Sequence, residues 1–401
     1  MPAVRSATIG IWADIGSAAE SPERRGISHV VEHMLFKGTE RRTARQIAET
    51  MDGVGGNLNA FTDKETTCYY AKVIDRHIPL AIDVLSDMFL HSLFDSAELA
   101  KEQKVVLEEI KMYDDSPDEL IHDLFASAMW TGSNLGDPTI GTAKSVSSIS
   151  REQICDHMRG HYAPNAVVVT AAGNLEHDAF AKLVAQAFDG FEGRSPAVTP
   201  ESPRASPVTL VKQKDIEQAH LVIGSQGLSV RDERRYALAV LDTILGGGMS
   251  SRLFQEVREK RGLVYSVYSY QAAYRAAGLF GAYAATSPQN VQSCIDVIAG
   301  EFERAQREPV DADELLNAKE HIKGSLTLSL ESSSSRMIRL GRNEFALGRE
   351  VSAEEVEQRV DAVSASDVQS IACEILGGDG MGLCVLGPVD EGVLHRRRSA
   401  A

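Results

Sequence analysis

The sequence lacks the marks of a secreted or membrane protein. Its five cysteines are scattered, odd in number and never arranged as C-x-x-C, so we expect reduced thiols and a cytoplasmic location. The first residues, MPAVRSATIGIW, show no basic segment followed by an apolar run and a small-residue cleavage site, so no signal peptide is expected. No apolar run approaches the roughly 20 residues of a membrane span. We therefore expect no membrane partner.

Positive charge is in deficit. The chain has 41 Lys and Arg against 57 Asp and Glu, which gives a formal net charge of -16. Such a balance argues against nucleic acid and anionic membranes as partners, because both attract basic surfaces. An acidic protein can instead attract basic peptides.

Proline is concentrated in one stretch. Residues 195–207, SPAVTPESPRASP, hold four of the 13 prolines, which predicts an extended linker. A length of 401 residues suggests two or more domains, and 43% hydrophobic content is normal for globular proteins. We expect an N-terminal domain over 1–194, the linker over 195–207 and a C-terminal domain over 208–401.

The second half of the sequence repeats the first. The triplet Glu-Arg-Arg at 23–25 recurs at 233–235, an offset of 210. The capping-box pair Asp95 and Glu98 recurs as Asp311 and Glu314, an offset of 216. Short β-rich runs alternate with segments of helical periodicity in both halves. The predicted fold class is therefore α+β, with two duplicated domains, each a mostly antiparallel sheet covered by helices.

One stretch carries a recognisable chemical motif. Residues 26–38, GISHVVEHMLFKG, hold His29, Glu32 and His33 in the order H-x-x-E-H, the inverzincin motif. The stretch has glycine at each end and no proline, which predicts a short helix. Residues three and four apart share a helix face, so the histidines are neighbours and Glu32 lies beside them. Two imidazoles so placed can bind one metal ion, and the carboxylate can act on water at that ion.

The motif also has a plainer interpretation. Two histidines and a glutamate on a partly buried helix can be satisfied core polar groups, and a five-residue pattern recurs by chance. The duplication favours the metal site, because the second half replaces all three residues. Their counterparts at offset 210 are Ala239, Asp242 and Thr243. Packing alone therefore does not require the histidines in this fold.

A second helix supplies carboxylates. Glu102 and Glu109 are seven residues apart in SAELAKEQKVVLEEIKMY, on one partly apolar face, so they need partners. Any single glutamate there can equally be solvated. In the second half the pair becomes Ala318 and Ser325, so these carboxylates vanish together with the histidines.

At these residues the sequence resembles the pitrilysin family of zinc peptidases, in particular the mitochondrial processing peptidase β-subunit and its bacterial relatives. The resemblance spans nearly the whole chain and rests on GISHVVEHMLFKGT, GGNLNAFTDKETTCYY, KEQKVVLEEI and VREKRGLVYSV. It implies one zinc ion per chain, bound by His29, His33 and Glu109, which follows His33 by 76 residues. The adjacent Glu108 is the alternative third ligand. The resemblance further makes Glu32 the general base and Glu102 a supporting carboxylate.

The same resemblance assigns substrate contacts. It implies that Arg258 and Tyr265, in the half without metal ligands, complete the active site by gripping the peptide backbone and stabilising the oxyanion. From the residues alone, an arginine such as Arg258 is more often a surface helix charge and a tyrosine such as Tyr265 more often a strand core residue. The resemblance also implies that the strand containing Asn59, Ala60 and Phe61 pairs with the substrate.

The function implied is that of a zinc metalloendopeptidase acting on unfolded or flexible peptides. Family members enclose a chamber with four such domains, so this chain is expected to form a homodimer or a heterodimer with a related chain. The alternative is a non-catalytic core-type subunit of a peptidase or respiratory complex, which generally lacks an intact zinc set. A purely structural zinc site is less favoured, because such sites usually have four protein ligands and three are visible here.

Overall fold

The computed structural model describes residues 1–377, 380–390 and 392. The strands are β1 (Ser6–Ala13), β2 (Asn57–Thr62), β3 (Thr67–Ile74), β4 (Val167–Gly173), β5 (Thr209–Gln213), β6 (Ala219–Gly227), β7 (Val264–Ala273), β8 (Gly278–Thr286) and β9 (Gly382–Gly387). The α-helices are α1 (Ile27–Leu35), α2 (Ala44–Asp52), α3 (Ile78–His91), α4 (Ser96–Asp114), α5 (Pro117–Met129), α6 (Ala143–Ser148), α7 (Arg151–His161), α8 (His177–Ala187), α9 (Arg235–Gly246), α10 (Val291–Arg307), α11 (Ala312–Ser329), α12 (Ser333–Leu347), α13 (Ala353–Ala362) and α14 (Ala365–Leu376).

The chain forms two compact units that are not continuous in sequence. Unit 1 comprises residues 1–112, 137–199 and 328–350, and unit 2 comprises 113–136, 200–327 and the described residues from 351 onwards. Residues 113–136 were expected in the N-terminal domain but belong to unit 2, and residues 328–350 were expected in the C-terminal domain but belong to unit 1. The reason is that two helices cross over between the halves of the sequence. Helix α5 comes from the first half but packs on the sheet of unit 2, and helix α12 comes from the second half but packs on the sheet of unit 1. The expected end of the second domain at residue 401 lies outside the described residues.

The sheet of unit 1 has the strand order β2-β3-β1-β4, and every pair is antiparallel. In this order β2 is an edge strand. The central strand β1 is buried along almost its whole length, because helices cover both faces of the sheet. Ile11 faces the core formed with α1 and α3, whereas Trp12 faces α12 and packs with its Met337. Gly341 of α12 lets this helix approach, since a Cβ there would lie 2.2 Å from the Trp12 ring.

The sheet of unit 2 has the strand order β5-β9-β6-β8-β7. The added edge strand β5 runs parallel to β9, and the other pairs are antiparallel. Helices α9, α10 and α14 cover one face through a continuous apolar core. Helix α5 covers the other face, where Phe125 lies against Gly224 and Gly382. Side chains at these two glycines would displace the Phe125 ring.

The two units share one topology, which confirms the predicted α+β class and the duplication. The order β2-β3-β1-β4 in unit 1 corresponds to β7-β8-β6-β9 in unit 2. The offset of 210 places the residues of α1 within α9, as the sequence predicted.

The predicted helix starts are also confirmed, because they depend on local hydrogen bonds. Asp95 accepts the backbone N–H of Glu98 at 3.1 Å, and Asp311 accepts that of Glu314 at 2.8 Å, so the two predicted capping pairs stand at the starts of α4 and α11. Residues 195–207 form neither helix nor strand. Within the described part of the chain, none of the helices combines the length and hydropathy that a bilayer crossing needs.

Candidate metal centre

Helix α1 is anchored so that its polar residues stay accessible. Gly26 precedes it at φ 87°, a conformation that glycine adopts without strain. The buried Glu20 carboxylate accepts the backbone N–H groups of Gly26 and Ser28, at 2.6 and 2.7 Å, which satisfies two donors at the helix start. The buried residues of the helix are Ile27, Ser28, Val30, Val31, Met34 and Leu35. This packing leaves the three motif side chains on the partly exposed face.

Three potential ligands converge on one point. The His29 and His33 rings lie with their centroids 4.6 Å apart. Oε2 of Glu109 lies 3.8 Å from Nε2 of His29 and 3.5 Å from Nε2 of His33. One ligand atom from each residue lies within 4.8 Å of the other two. In a tetrahedral site with metal–ligand bonds of about 2.0–2.1 Å, ligand atoms are about 3.3 Å apart, so these separations fit one zinc ion.

Glu109 rather than Glu108 lies in this cluster. The Glu108 side chain is 69% exposed and forms an ion pair of 2.7 Å with Lys111. The Glu109 side chain points to the histidines and is 35% exposed. Of the two glutamates left open by the sequence, Glu109 therefore has the geometry of a ligand.

The other ring nitrogen of His33 has its own partner. Oε2 of Glu102 lies 3.2 Å from Nδ1 of His33, and Oε1 lies 2.8 Å from Nζ of Lys37. The Glu102 side chain is only 8% exposed. A carboxylate on one imidazole nitrogen leaves the other nitrogen free to bind a metal, and metal-binding histidines usually have such a partner. The cluster therefore has the supporting contacts of a metal site as well as its ligands.

Electrostatics also favour metal binding. Burial, and after it the neighbouring His33, lowers the pKa of His29 to about 4, so its imidazole is neutral near pH 7. A neutral imidazole is the form that binds metal. Burial raises the pKa of Glu32 above its usual value, and this is opposed by a 2.5 Å hydrogen bond from Oγ1 of Thr62 and by the nearby His33. A carboxylate with a raised pKa beside a metal site suits general-base chemistry.

Comparisons with known proteins point to one family. Residues 1–143 match the family model described as insulinase (peptidase family M16), and residues 148–322 match the peptidase M16 inactive domain. The chain is 46% identical to an uncharacterized zinc protease of Bacillus subtilis, with 94% of this chain and 92% of the relative aligned. It is 42% identical to an uncharacterized zinc protease of Streptomyces coelicolor, with 100% of this chain and 89% of the relative aligned. The chain belongs to peptidase family M16.

Solved structures show that this M16 chain has the fold of the family. A peptidase M16 inactive domain from Pseudomonas fluorescens superposes with a TM-score of 0.90, at 20% identity, over 97% of this chain and 94% of that one. A protease from Helicobacter pylori gives a TM-score of 0.88, at 20% identity, over 96% and 94%. The word "inactive" in the second family model accords with the half that has lost the H-x-x-E-H residues.

The strand predicted to bind substrate in this M16 chain is the edge strand β2. Its residues alternate between faces, with Ala60 on the α1 side and Phe61 on the α12 side. The Phe61 ring packs against Trp12, with centroids 5.4 Å apart, so its side chain is committed to the core. The exposed Asn59 accepts the backbone N–H of Ala60 through its own Oδ1 at 2.8 Å. The side chain of Asn59 thus occupies the backbone donor of Ala60.

Arg258 and Tyr265 of the M16 chain lie in unit 2 and contact each other. The Arg258 guanidinium lies 4.9 Å from the centre of the Tyr265 ring and 4.8 Å from that of Phe254. Arg258 belongs to a π-helical segment, Phe254–Glu259. Tyr265 is the second residue of β7, and its side chain is exposed. Tyr265 is 76% exposed, so it is not a strand core residue. Their assignment to the active site stays a prediction.

Three contributing residues of the M16 site were missed from the sequence. Glu20 accepts hydrogen bonds at the start of α1, Lys37 pairs with Glu102, and Thr62 donates to Glu32. Lys37 carried a usable signal, because it follows His33 by four residues within the helix predicted for residues 26–38. Thr62 lies in the GGNLNAFT segment, but its partner Glu32 is on another element, so no local pattern links the two residues. Glu20 carried no local signal.

Proposed function

We propose that this chain is a zinc-dependent endopeptidase that cleaves flexible peptides. The observation that carries the proposal is the convergence of His29, His33 and Glu109 on one point, with Glu32 held separately beside them. These three residues would hold one zinc ion per chain and leave a fourth position open, as in catalytic rather than structural sites. The names of the relatives support zinc and proteolysis at the level of the family.

The proposed mechanism divides the chemistry between the ion and the protein. Zinc, when bound, polarises the scissile carbonyl as a Lewis acid and lowers the pKa of water. Glu32 takes a proton from the attacking water and delivers it to the leaving amine. Thr62 fixes one oxygen of Glu32, which leaves the other free to exchange the proton. Glu102 holds His33 in the orientation that its ligand role requires.

Arg258 and Tyr265 are proposed to be the remaining catalytic groups. The Tyr265 hydroxyl, on a highly exposed side chain, donates to the oxyanion that forms during attack, and Arg258 binds the peptide backbone. The cation–π contact between them orders the tyrosine ring. The substrate adds to the β2 edge as a further strand, and its carbonyl replaces Asn59 as the partner of the Ala60 N–H.

We further propose a dimeric assembly in the cytoplasm. Each chain supplies two of the four α+β domains expected to enclose a chamber, so a second copy or a related chain is needed. The free thiols of all five cysteines accord with a reducing compartment. Sedimentation at micromolar concentration tests the assembly, and a fully active monomer would refute it.

The central experiment measures bound metal and peptide cleavage together. We expect one zinc per purified chain, loss of cleavage after chelation and recovery on adding zinc. An unstructured peptide should be cut, whereas a folded protein of the same composition should be spared. The alternative of a non-catalytic subunit predicts no metal-dependent cleavage under any of these conditions.

A further inference from the structure

We propose that Lys37 is a positioning residue of the metal centre. It fixes the Glu102 carboxylate, and the fixed carboxylate holds His33 in its metal-binding orientation. The inference rests on the proposed zinc site and adds a residue that lies outside the H-x-x-E-H motif.

The geometry is a continuous chain of three side chains. Nζ of Lys37 lies 2.8 Å from Oε1 of Glu102, and Oε2 of Glu102 lies 3.2 Å from Nδ1 of His33. Lys37 follows the end of α1, and its own backbone N–H donates to the carbonyl of Met34 at 3.1 Å. The lysine is therefore held at both its backbone and its ammonium. Each oxygen of Glu102 has one partner, so the carboxylate has a defined plane.

Burial makes the lysine necessary. The Glu102 side chain is 8% exposed and that of Lys37 is 29% exposed. A carboxylate so far removed from water is costly unless a cation and hydrogen-bond donors replace the lost hydration. The ion pairs of Glu102 within the described part of the chain are those to Lys37 and His33. Without the lysine, one oxygen loses its donor, the side chain turns towards solvent, and Nδ1 of His33 loses its fixed partner.

The duplication provides an internal comparison. The counterparts of His33, Lys37 and Glu102 in the second half are Thr243, Gly247 and Ala318. All three line one cavity of about 490 Å³ in unit 2, so the three positions converge there as well. The fold of unit 2 therefore forms without this chain of contacts. Lys37 is thus present in the half with metal ligands and replaced by glycine in the half without them. Packing of the fold alone therefore does not require a lysine at this position.

The test is zinc affinity, measured by competition with a chelator at fixed pH and ionic strength. Lys37→Met removes the ammonium but keeps the apolar stem. We expect zinc to bind about 10- to 100-fold more weakly, the usual effect of losing an outer partner of a metal ligand. Lys37→Arg keeps a cation at this position and should restore most of the affinity. Lys37→Gln, with the same expectation, replaces Lys37→Met if the latter does not fold.

A matched control removes a cation from the same region. Lys111 pairs with the exposed Glu108 at 2.7 Å and lies two positions from Glu109. Lys111→Met should leave zinc affinity within about twofold, because exposed ion pairs contribute little. If Lys111→Met and Lys37→Met lost equal zinc affinity, the effect would come from the local positive charge alone. That result would overturn the positioning role of Lys37.

A double-mutant cycle shows whether Lys37 acts through Glu102. In a Glu102→Gln background, Lys37→Met should have little further effect on zinc affinity. Fully additive effects, or wild-type affinity in Lys37→Met, would overturn the inference while leaving the proposed function intact. A wild-type chain that binds no zinc would overturn the proposed function itself.

Discussion

Oγ1 of Thr62 donates a hydrogen bond of 2.5 Å to Oε2 of Glu32 and so ties helix α1 to strand β2. The second half has the same kind of tie, in which Oγ of Ser269 on β7 donates to Oδ1 of Asp242 on α9 at 2.5 Å. A hydroxyl-to-carboxylate bond therefore joins helix and strand in both units. The tie belongs to the fold, whereas the chemistry of Glu32 comes from the histidines and Glu109 beside it.

Glu32→Gln should retain zinc but lose peptidase activity by a factor of about 100 or more. The amide oxygen still accepts the Thr62 hydroxyl, so the fold is kept while the base is lost. Metal content and peptide cleavage are measured on the same preparation. Glu49→Gln, which changes an exposed carboxylate paired with Arg45, serves as the control. Cleavage by Glu32→Gln at the wild-type rate would remove Glu32 from the mechanism.

Glu109→Gln should weaken zinc binding far more than Glu108→Gln. The carboxylate of Glu109 faces both histidines, whereas Glu108 is largely exposed and faces Lys111. Competition with a chelator measures the zinc affinity of the two variants. They are matched, because the same substitution is made at two adjacent positions. Equal zinc affinity would mean that the third ligand is a different residue.

Tyr265→Phe should lower kcat by about 100-fold with little change in KM, because an oxyanion donor acts mainly in the transition state. The side chain is 76% exposed, so losing the hydroxyl should not alter thermal stability. Tyr274→Phe, on the same unit, controls for the loss of a tyrosine hydroxyl elsewhere. An effect confined to KM would make Tyr265 a binding residue only.

Acid should destabilise unit 1 of the metal-free protein through His157. Burial, followed by His161 and Arg24, lowers the pKa of His157 from 6.5 to about 3. Between these pH values the unfolded chain binds the additional proton, so the free energy of unfolding falls as the pH falls below 6.5. This contribution amounts to about 2 kcal/mol between pH 7.5 and pH 5.

Urea unfolding at the two pH values, followed by Trp12 fluorescence in a Trp130→Phe background, measures this change in unit 1. His157→Gln should lose less stability than the parent on acidification. The exposed His177 provides the control, and His177→Gln should behave as the parent does. A His157→Gln variant that loses as much stability as the parent between the two pH values would show that His157 titrates normally.

Basic peptides should be cleaved faster than acidic peptides of equal length, and the difference should shrink as salt is added. The net charge of -16 gives the chain a negative field that attracts cations over a Debye length of about 10 Å at 0.1 M salt. Values of kcat/KM for matched peptides at low and high ionic strength test this. Equal cleavage of both peptides at low salt would exclude electrostatic selection.

The sequence predicted those features that depend on neighbouring residues. The H-x-x-E-H spacing places His29 and His33 one turn apart, and the capping pairs locate the starts of α4 and α11. The comparison between the two halves singled out Glu102 and Glu109 before their partners were known. Each of these signals is carried by residues close in sequence or at a fixed repeat offset.

The features that the sequence did not predict depend on contacts between distant segments. Trp12 packs against Met337 and Phe125 against Gly382, each more than 200 residues away in sequence, and no local periodicity encodes that choice. The same holds for Thr62, whose hydroxyl meets Glu32 only after β2 has docked against α1. Side chains such as these show their roles only when the topology is known.

The placement of α5 and α12 bears on how this fold arose. The offset of 216 maps α5 onto α12, so each half of the sequence contributes the same helix to the sheet of the other half. A half-length chain could form the same packing by giving this helix to a second copy of itself. The simplest ancestor is therefore an arm-exchanged homodimer, later joined into one polypeptide by gene fusion.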